Sequence, residues 1–293
     1  MTAANSELII LISRSTRVLE ETVVQIQGRC VVVTGGGNGI GRALALRFAA
    51  LGARSVTVAD LNGDWARQTA THVEDAGVPA LGISCDVGDP DQIDALVDAA
   101  EAAHGPTDIF CSNAGYSDKV GDLIQTVDAW RRIIDVNLMS HVWAARRVVP
   151  GMVERGQGYL LQTISSAALI TGPSGAGYTT SKHGALGFAE WLSLNHGHQG
   201  LRVTCLCPNA VYTGMFGRDP EDDSDAPDVG ALGEILTPEH VAEMTVEAMS
   251  GDEPFLVLPH PRVGDSFLRK AQDYEAWLER TRGRLQRMAA ANS

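Results

Sequence analysis

A phenol and a primary amine stand four residues apart in the segment YTTSK, at Tyr178 and Lys182. If the segment is helical, both side chains lie on one face and the ammonium can approach the phenol. A unit positive charge about 4 Å away, at an effective dielectric constant near 20, favours the phenolate by roughly 4 kcal/mol, on the order of three pK units. The pKa of Tyr178 would then fall from about 10 toward about 7, where a phenol can exchange a proton with an alcohol.

A second group of residues could bind a phosphate. The segment TGGGNGIG at 34–41 places Gly35, Gly39 and Gly41 between an apolar run and a helical pattern. Glycines there permit a tight turn and let the backbone at a helix N-terminus approach a pyrophosphate. Asp60 lies about 20 residues further on, where a carboxylate can accept hydrogen bonds from both ribose hydroxyls. Together these features predict a dinucleotide site.

The charges around Asp60 favour NAD over NADP. The carboxylate would repel a 2′-phosphate, and neither Asn38 nor Leu61 supplies a positive charge to attract one. Arg42 is the counter-argument, but from its place in the helix we expect it to face away from the cofactor.

These residues must be positioned by short β-branched runs that alternate with longer segments of helical periodicity. The runs are CVVVTG (30–35), SVTVAD (55–60), LGISCD (81–86), TDIFCS (107–112), GYLLQTIS (158–165), LRVTCLCP (201–208) and PFLVLP (254–259). Seven strands alternating with helices predict an α/β fold, a Rossmann-type doubly wound parallel sheet in a single domain. We assign residues 28–262 to that domain, 1–27 to an N-terminal extension and 263–293 to a C-terminal helical tail.

The spacing TGxxxGxG, followed far downstream by YxxxK, resembles the short-chain dehydrogenases/reductases. Further marks of that family occur in order along the chain. They are Asp86 and Val87, NAG at 113–115, Asn137 within DVNLMS, and Ser165. The resemblance extends from residue 29 to the end of the chain.

The resemblance implies a catalytic set of Asn137, Ser165, Tyr178 and Lys182. Tyr178 would be the general acid and base, and Ser165 would hold the substrate oxygen beside it. Lys182 would also bind the nicotinamide ribose, and Asn137 would support a water that links Lys182 to solvent. Ser166 is the alternative serine, but the offset of thirteen residues to Tyr178 favours Ser165.

The same resemblance implies a set of cofactor contacts at the ends of the strands. They are Gly35, Asn38, Gly39, Ile40, Asp60, Leu61, Asp86, Val87, Asn113, Ala114, Gly115, Tyr178, Lys182, Pro208, Val211 and Thr213. Thr34 and Asn113 are open to two interpretations, as ties between loops or as cofactor contacts. Asn209 departs from the family pattern, in which Gly follows Pro, and this puts the cofactor contact at Pro208 in doubt.

Composition excludes several kinds of partner. The net charge is -13, and the sequence holds no basic patch that would indicate a nucleic acid or an anionic membrane surface. The apolar run in ELIILIS at 7–13 is too short to span a bilayer. The five cysteines fall in apolar runs without zinc-type spacing, which favours buried thiols in a reducing compartment and a cytoplasmic location.

The histidines do not predict a metal site. HGHQG at 196–200 fits a helix C-terminus followed by glycine. We expect His183 to lie in a subunit interface, and no partner can be identified from the sequence for His141 or His260.

The substrate is expected to bind beneath segment 213–235, which is acidic and rich in Gly and Pro and occupies the place of a mobile lid. Its few apolar residues are Met215, Phe216, Val229 and Leu232. If they fold inward, they indicate an apolar secondary alcohol or ketone. The alternative is a solvated acidic loop with no part in the pocket.

Apolar residues recur at helical spacing in 263–288, which predicts a surface helix that packs on its own sheet or on a neighbour. We expect this tail to contribute to an oligomer interface or to close the active-site mouth. The family commonly associates through two long central helices, here about 125–150 and 178–197, so a homo-oligomer, dimer or tetramer, is expected.

Three functions fit these motifs. The first is an NAD-dependent dehydrogenase or reductase of an apolar alcohol or ketone. The second is a 3-oxoacyl-carrier-protein reductase, against which Asp60 and the acidic lid argue. The third is a dinucleotide sensor without turnover, which would need the glycine loop but no proton-transfer group.

Overall fold

A computed structural model of the chain describes residues 26–118, 125–172, 174–214, 235–251 and 254–291. The strands are β1 Cys30–Thr34, β2 Ser55–Asp60, β3 Ala80–Ser84, β4 Ile109–Ser112, β5 Gly158–Thr163, β6 Leu201–Leu206 and β7 Leu256–Val257. They form one seven-stranded sheet in the order β3-β2-β1-β4-β5-β6-β7, and every neighbouring pair is parallel. The predicted Rossmann-type sheet is confirmed.

Helices follow the strands and cover both faces of the sheet. They are α1 Gly39–Ala50, α2 Gly63–Asp75, α3 Pro90–His104, α4 Val127–Ile134, α5 Ser140–Glu154, α6 Ala176–His196, α7 Pro238–Ser250, α8 Pro261–Gln272 and α9 Tyr274–Ala291. A π-helical turn, Asp135–Met139, joins α4 to α5. Helices α1, α2 and α7 pack on one face, and α3, α5 and α6 pack on the other.

Burial on both faces explains why the central strands read as apolar runs rather than as alternating patterns. Every residue of β1, β4 and β5 is buried. Polar capping residues begin the helices that follow: Asn62 accepts from the first-turn amides of α2, and Asp89 does so before Pro90 in α3.

The tail forms α8 and α9, with Val263 and Trp277 buried against the rest of the chain. All five cysteines are buried free thiols, as predicted. Within the described ranges, no helix is long and apolar enough to cross a membrane. The predicted N-terminal extension up to residue 25, and residues 215–234 of the predicted lid, lie outside the described residues.

Candidate active site

The sheet creates a cleft where its strand order reverses, between β1 and β4, because the loops after these strands lead to helices on opposite faces. The cleft has a volume of about 770 Å³. Every residue predicted to contact the cofactor lines it, and so do Ser165 and Asn209. Eight further lining residues were not singled out for the site by the sequence: Trp65, Cys85, Tyr116, Arg132, Val136, Thr163, Ile164 and Gly214. Asn137 is buried behind its wall.

The glycine loop has little room for side chains. Gly35 and Gly39 adopt positive φ angles of 61° and 55°, which L-residues with a side chain rarely occupy. A Cβ on Gly41 would collide with the carbonyl oxygen of Gly35. Asn38 caps α1, and its side chain accepts a hydrogen bond from the Gly39 amide at 2.6 Å. The loop therefore delivers the N-terminus of α1 to the cleft.

Asp60 is fixed beside this loop by backbone donors. Its Oδ2 accepts from the Gly37 amide at 3.0 Å, and its Oδ1 accepts from the Asn62 amide at 2.9 Å. A Cβ on Gly37 would lie 3.0 Å from the Asp60 carboxylate carbon, so glycine at this position allows the approach. The carboxylate is thus held at the rim of the cleft, at the C-terminal end of β2.

Thr34 ties the loop after β1 to the loop after β4. Its hydroxyl donates to the Cys111 carbonyl at 3.2 Å and accepts from the Asn113 amide at 3.0 Å. The Asn113 side chain donates to the Thr34 carbonyl at 3.1 Å. Thr34 is 3 % exposed and is absent from the cleft lining, which supports the structural interpretation for this residue, whereas Asn113 also faces the cleft.

Asp86 carries an ion pair that the sequence did not reveal. Its Oδ2 lies 2.9 Å from a guanidinium nitrogen of Arg132, and its Oδ1 accepts from the Gly88 amide at 2.9 Å. Arg132 comes from α4, 46 positions away in the chain. The pair neutralises a basic side chain that faces the cleft.

Asn137 occupies the π-helical turn and holds the loop after β4. Its Oδ1 accepts from the Tyr116 amide at 3.0 Å, and its Nδ2 donates to the Tyr116 carbonyl at 2.8 Å and to the Ser181 hydroxyl at 3.3 Å. π-Helical turns concentrate at functional sites, where they reposition a side chain within a helix. Here the side chain bridges the loop to α6, the helix that carries Tyr178.

Asp118 is a positioning residue that sequence analysis missed. Its carboxylate accepts from the Gly177 amide at 2.9 Å and from the Tyr178 amide at 3.3 Å. The N-cap of α6 is Gly175, which has no side chain to cap the helix, so a carboxylate from a distant loop satisfies the free amides instead.

Lys182 is 3 % exposed, and its Nζ donates to the Thr163 carbonyl at 3.1 Å. The ammonium lies 5.8 Å from the centre of the Tyr178 ring. Burial lowers the pKa of Lys182 to about 8. A Cβ on Gly115 would lie 3.4 Å from Nζ, so glycine keeps the approach from the cleft open.

The expected shift in the pKa of Tyr178 is wrong for the chain on its own. Burial raises the pKa of the phenol and outweighs a hydrogen bond with Ser165 that lowers it. The sequence estimate placed the lysine charge close to the phenol and could not include desolvation, which opposes ionisation. Ser165 lines the cleft, whereas the Ser166 hydroxyl donates to the Asn209 side chain at 3.4 Å.

The histidines take structural positions. His260 bonds to the backbone of Asn209 and Ala210, so it has partners that the sequence did not reveal. His183 Nδ1 contacts the Thr179 carbonyl at 2.9 Å, and His196 ends α6. Within the described part of the chain neither ring nitrogen of His141 has a hydrogen-bond partner, and burial lowers its pKa to about 3.

Known proteins share this architecture. Residues 29–224 match the family model of the short chain dehydrogenases. A 1-deoxy-11-beta-hydroxypentalenate dehydrogenase from Streptomyces exfoliatus is 35% identical over 80% of this chain and 84% of its own. A (+)-borneol dehydrogenase 1 from Salvia officinalis is 32% identical over 79% of this chain and 90% of its own.

A solved structure shows the same fold. It is a short chain dehydrogenase/reductase from Burkholderia phymatum in complex with NAD, with a TM-score of 0.76 and 26% identity. The match covers 86% of this chain and 96% of that one. With the family model matching most of the catalytic core, this chain is an oxidoreductase of the short-chain dehydrogenase family.

Proposed function

We propose that the chain is an NAD-dependent dehydrogenase that interconverts an apolar secondary alcohol and its ketone, with Tyr178 as the general acid and base. One observation carries the proposal: Ser165, Tyr178 and Lys182 open into the same cleft as the glycine loop and Asp60. A proton-transfer group and a dinucleotide site in one cleft are what an alcohol dehydrogenase needs. A protein that only binds the dinucleotide needs the dinucleotide site but no proton-transfer group.

The residues of the cleft fit an NAD molecule. The glycine loop leaves backbone space at the N-terminus of α1 for a pyrophosphate, and the Asp60 carboxylate is held where it can accept from ribose hydroxyls. Arg42, the basic residue that could favour NADP, is absent from the cleft lining. Arg132 lines the cleft but is paired with Asp86. These charges support NAD over NADP.

When bound, oxidised NAD supplies the hydride acceptor and a positive charge near the phenol. Tyr178 then takes the hydroxyl proton of the alcohol, and in the reverse direction it returns that proton to the ketone oxygen. Ser165 donates a hydrogen bond to the same oxygen and fixes its distance from Tyr178. Lys182 favours the phenolate through its charge, which offsets part of the cost of ionising a buried phenol.

The walls near Tyr178 support an apolar substrate. Val136 and Ile164 line the cleft together with the exposed ring of Tyr116, so three apolar or aromatic side chains face the space that Ser165 and Tyr178 share. Both curated relatives described above are named for the dehydrogenation of a hydroxylated compound.

We also propose that the chain works as a homo-oligomer in a reducing compartment such as the cytoplasm. On α6, Trp191 and Leu194 are 52% and 81% exposed, which is unusual for large apolar side chains and supports a partner surface there. The five buried free thiols support the compartment.

The test compares wild type with Tyr178→Phe, using the absorbance of reduced nicotinamide. Each protein is offered NAD or NADP with a panel of apolar secondary alcohols, including cyclic and aryl compounds. We expect turnover with NAD that falls by about 10²–10⁴ in Tyr178→Phe, because the variant lacks the group that moves the proton. NAD binding, measured by calorimetry, should change less than about threefold, because the ring remains.

Tyr274→Phe is the matched control, since it removes a phenol that is 54% exposed on the tail. Substantial turnover in Tyr178→Phe would show that another group moves the proton. Tight NAD binding without turnover in any well would favour the sensor hypothesis or a substrate outside the panel.

A further inference from the structure

Helix α8 is tied at both ends to loops of the active site. We propose that α8 is a brace that fixes the loop after β5 and the loop after β6 relative to one another, with His260 and Lys270 as the positioning residues. The inference rests on the proposed function for what these loops do: the first carries Ser165 and the second carries Pro208 and Val211. The contacts of α8 with the two loops are hydrogen bonds of buried side chains and do not depend on the proposed function.

The first tie is at the start of α8. His260 immediately precedes the helix and is 6% exposed. Its Nδ1 accepts from the Asn209 amide at 3.1 Å, so the proton of the neutral ring is on Nε2, which lies 3.1 Å from the Ala210 carbonyl and donates to it. One side chain thus holds two successive backbone groups of the loop after β6. This is the position where the family's glycine is replaced by Asn209.

The second tie is in the last turn of α8. Lys270 is 9% exposed, and its Nζ donates to the Leu169 carbonyl at 2.8 Å. The ammonium lies 5.1 Å from the centre of the Trp277 indole and 5.5 Å from that of the Tyr274 ring. A buried ammonium is unfavourable unless it is compensated, and here a carbonyl and two aromatic faces from α9 do so. Burial lowers the pKa of Lys270, in line with this position.

Leu169 is linked to Ser165 through one short turn. Ser165 caps the short 3-10 turn Ser166–Ala168 by accepting from the Ala167 amide at 3.0 Å. The Leu169 amide donates to the Ser166 carbonyl at 3.0 Å, so the turn is one closed unit. A displacement of the Leu169 carbonyl would therefore displace the 3-10 turn that Ser165 caps.

The loop after β5 and the loop after β6 also contact each other, so α8 and the two loops are linked pairwise. The Ser166 amide donates to the Pro208 carbonyl at 2.8 Å. Between its tied ends, α8 packs Val263, which is 3% exposed, and Phe267 against the core face shared with α5 and α6. A helix of 12 residues is about 18 Å long and is stiff on that scale. It can thus hold a loop at each end at a set separation.

Hydrogen–deuterium exchange of the full-length chain tests each tie without requiring a substrate. Lys270→Met keeps an unbranched side chain between the two rings but removes the charge and the donor. We expect the amides of 165–169 to exchange about tenfold faster in this variant, with 208–212 changed less. His260→Leu should give the opposite pattern, with about tenfold faster exchange at Asn209, whose amide loses its acceptor.

Matched variants separate these effects from loss of fold. Arg269→Met removes a cation from the neighbouring position, where the guanidinium donates to the Ser266 hydroxyl of the same helix at 3.1 Å. This variant should leave both loops as protected as in wild type. Lys270→Arg retains a charged donor and should restore most of the protection of 165–169. Unchanged exchange of 165–169 in Lys270→Met, or an equal rise across the whole chain in both variants, would overturn the brace.

NAD titration by calorimetry gives a second readout. His260→Leu should weaken NAD binding about tenfold, because the loop with Pro208 and Val211 loses its support, and Lys270→Met should change it less than about twofold. Equal effects in the two variants would contradict separate ties. If no alcohol is turned over but the two exchange patterns appear, the brace stands and the proposed reaction is wrong. If turnover is found but the two exchange patterns are absent, the proposed reaction stands and the brace is wrong.

Discussion

The glycine-loop end of the cleft and its Tyr178 end hold their polar groups by different means. At the first end, Asp60 accepts from the Gly37 and Asn62 amides, and both partners lie in loops that adjoin β1 and β2. At the second end, Lys182 is 3% exposed and donates to the Thr163 carbonyl of a neighbouring strand. At the glycine-loop end, backbone geometry therefore determines which side chains are tolerated. At the Tyr178 end, the cost of burying charged groups determines which ionisation states are stable.

This difference determines how each end responds to change. A glycine loop tolerates no added atom where backbones touch, so its response is steric and independent of pH. A buried lysine responds to pH, because its protonated form is unfavourable in the folded chain. The following experiments distinguish these two kinds of dependence, beginning with the largest expected effect.

Gly41→Ala should be the most damaging substitution at the glycine-loop end. The added Cβ would collide with the Gly35 carbonyl oxygen, and backbone cannot give way as a flexible side chain can. We expect the free energy of unfolding to fall by about 3 kcal/mol or more, as in severe overpacking, with NAD binding lost at micromolar cofactor. Chemical denaturation and calorimetry measure the two effects.

Gly283→Ala is the control for this substitution. Gly283 lies inside α9, and the nearest atom to an added Cβ is the end of the flexible Arg287 side chain at 3.5 Å. Alanine should therefore stabilise the helix by up to about 1 kcal/mol. A Gly41→Ala protein as stable as Gly283→Ala, with wild-type affinity for NAD, would refute the steric account of this loop.

The stability of the fold should depend on pH through Lys182. Burial lowers the pKa of Lys182 from its ordinary 10.5 to about 8, so between these values the unfolded chain binds more protons than the folded chain. Stability from this group therefore rises as pH increases from about 8 to about 10.5 and is lost as pH falls through the folded pKa. The full effect is about 3 kcal/mol.

Other groups titrate in the same range, so the measurement is a difference. Burial raises the pKa values of Tyr178 and Cys207, which lowers stability at high pH in both proteins. For Cys207 this loss is larger in the variant, because the charge of Lys182 no longer opposes the rise of its pKa. The free energy of unfolding of wild type minus that of Lys182→Met should rise with pH over this interval. A constant difference would mean that Lys182 is as well solvated in the folded chain as in the unfolded one.

The glycine-loop end was largely predictable from the sequence because its constraints are local. Gly35, Gly39 and Gly41 follow from one tight turn, and Asp60 follows from the length of one strand–helix–strand unit. The parallel sheet was predictable for a similar reason, since buried strands and amphipathic helices alternate with clear periods. At these positions the residue types are almost sufficient to predict the local backbone geometry.

The Tyr178 end was only partly predictable. The spacing of Tyr178 and Lys182, with the family resemblance for Ser165, predicted that these residues belong together, and the structure places all three in one cleft. The direction of the pKa shift of Tyr178 depends on burial, which no local pattern contains. The supporting contacts are equally non-local: Asp118 reaches Tyr178 across 60 positions, His260 reaches Asn209 across 51, and Lys270 reaches Leu169 across 101. Such contacts appear only once the chain is folded.

Asp60→Ala should produce the smallest of these effects. Removing the carboxylate relieves the repulsion of a 2′-phosphate but adds no cation to attract one, so discrimination against NADP should fall by about tenfold, or about 1.4 kcal/mol. The ratio of the dissociation constants of NADP and NAD measures this directly. Asp64→Ala is the matched control, because Asp64 is an exposed carboxylate of α2 whose partner is Arg67. A change in the ratio that is equal in both variants would assign it to net charge. An unchanged ratio in Asp60→Ala would show that selectivity at the glycine-loop end does not depend on this side chain, although backbone groups hold it at the rim of the cleft.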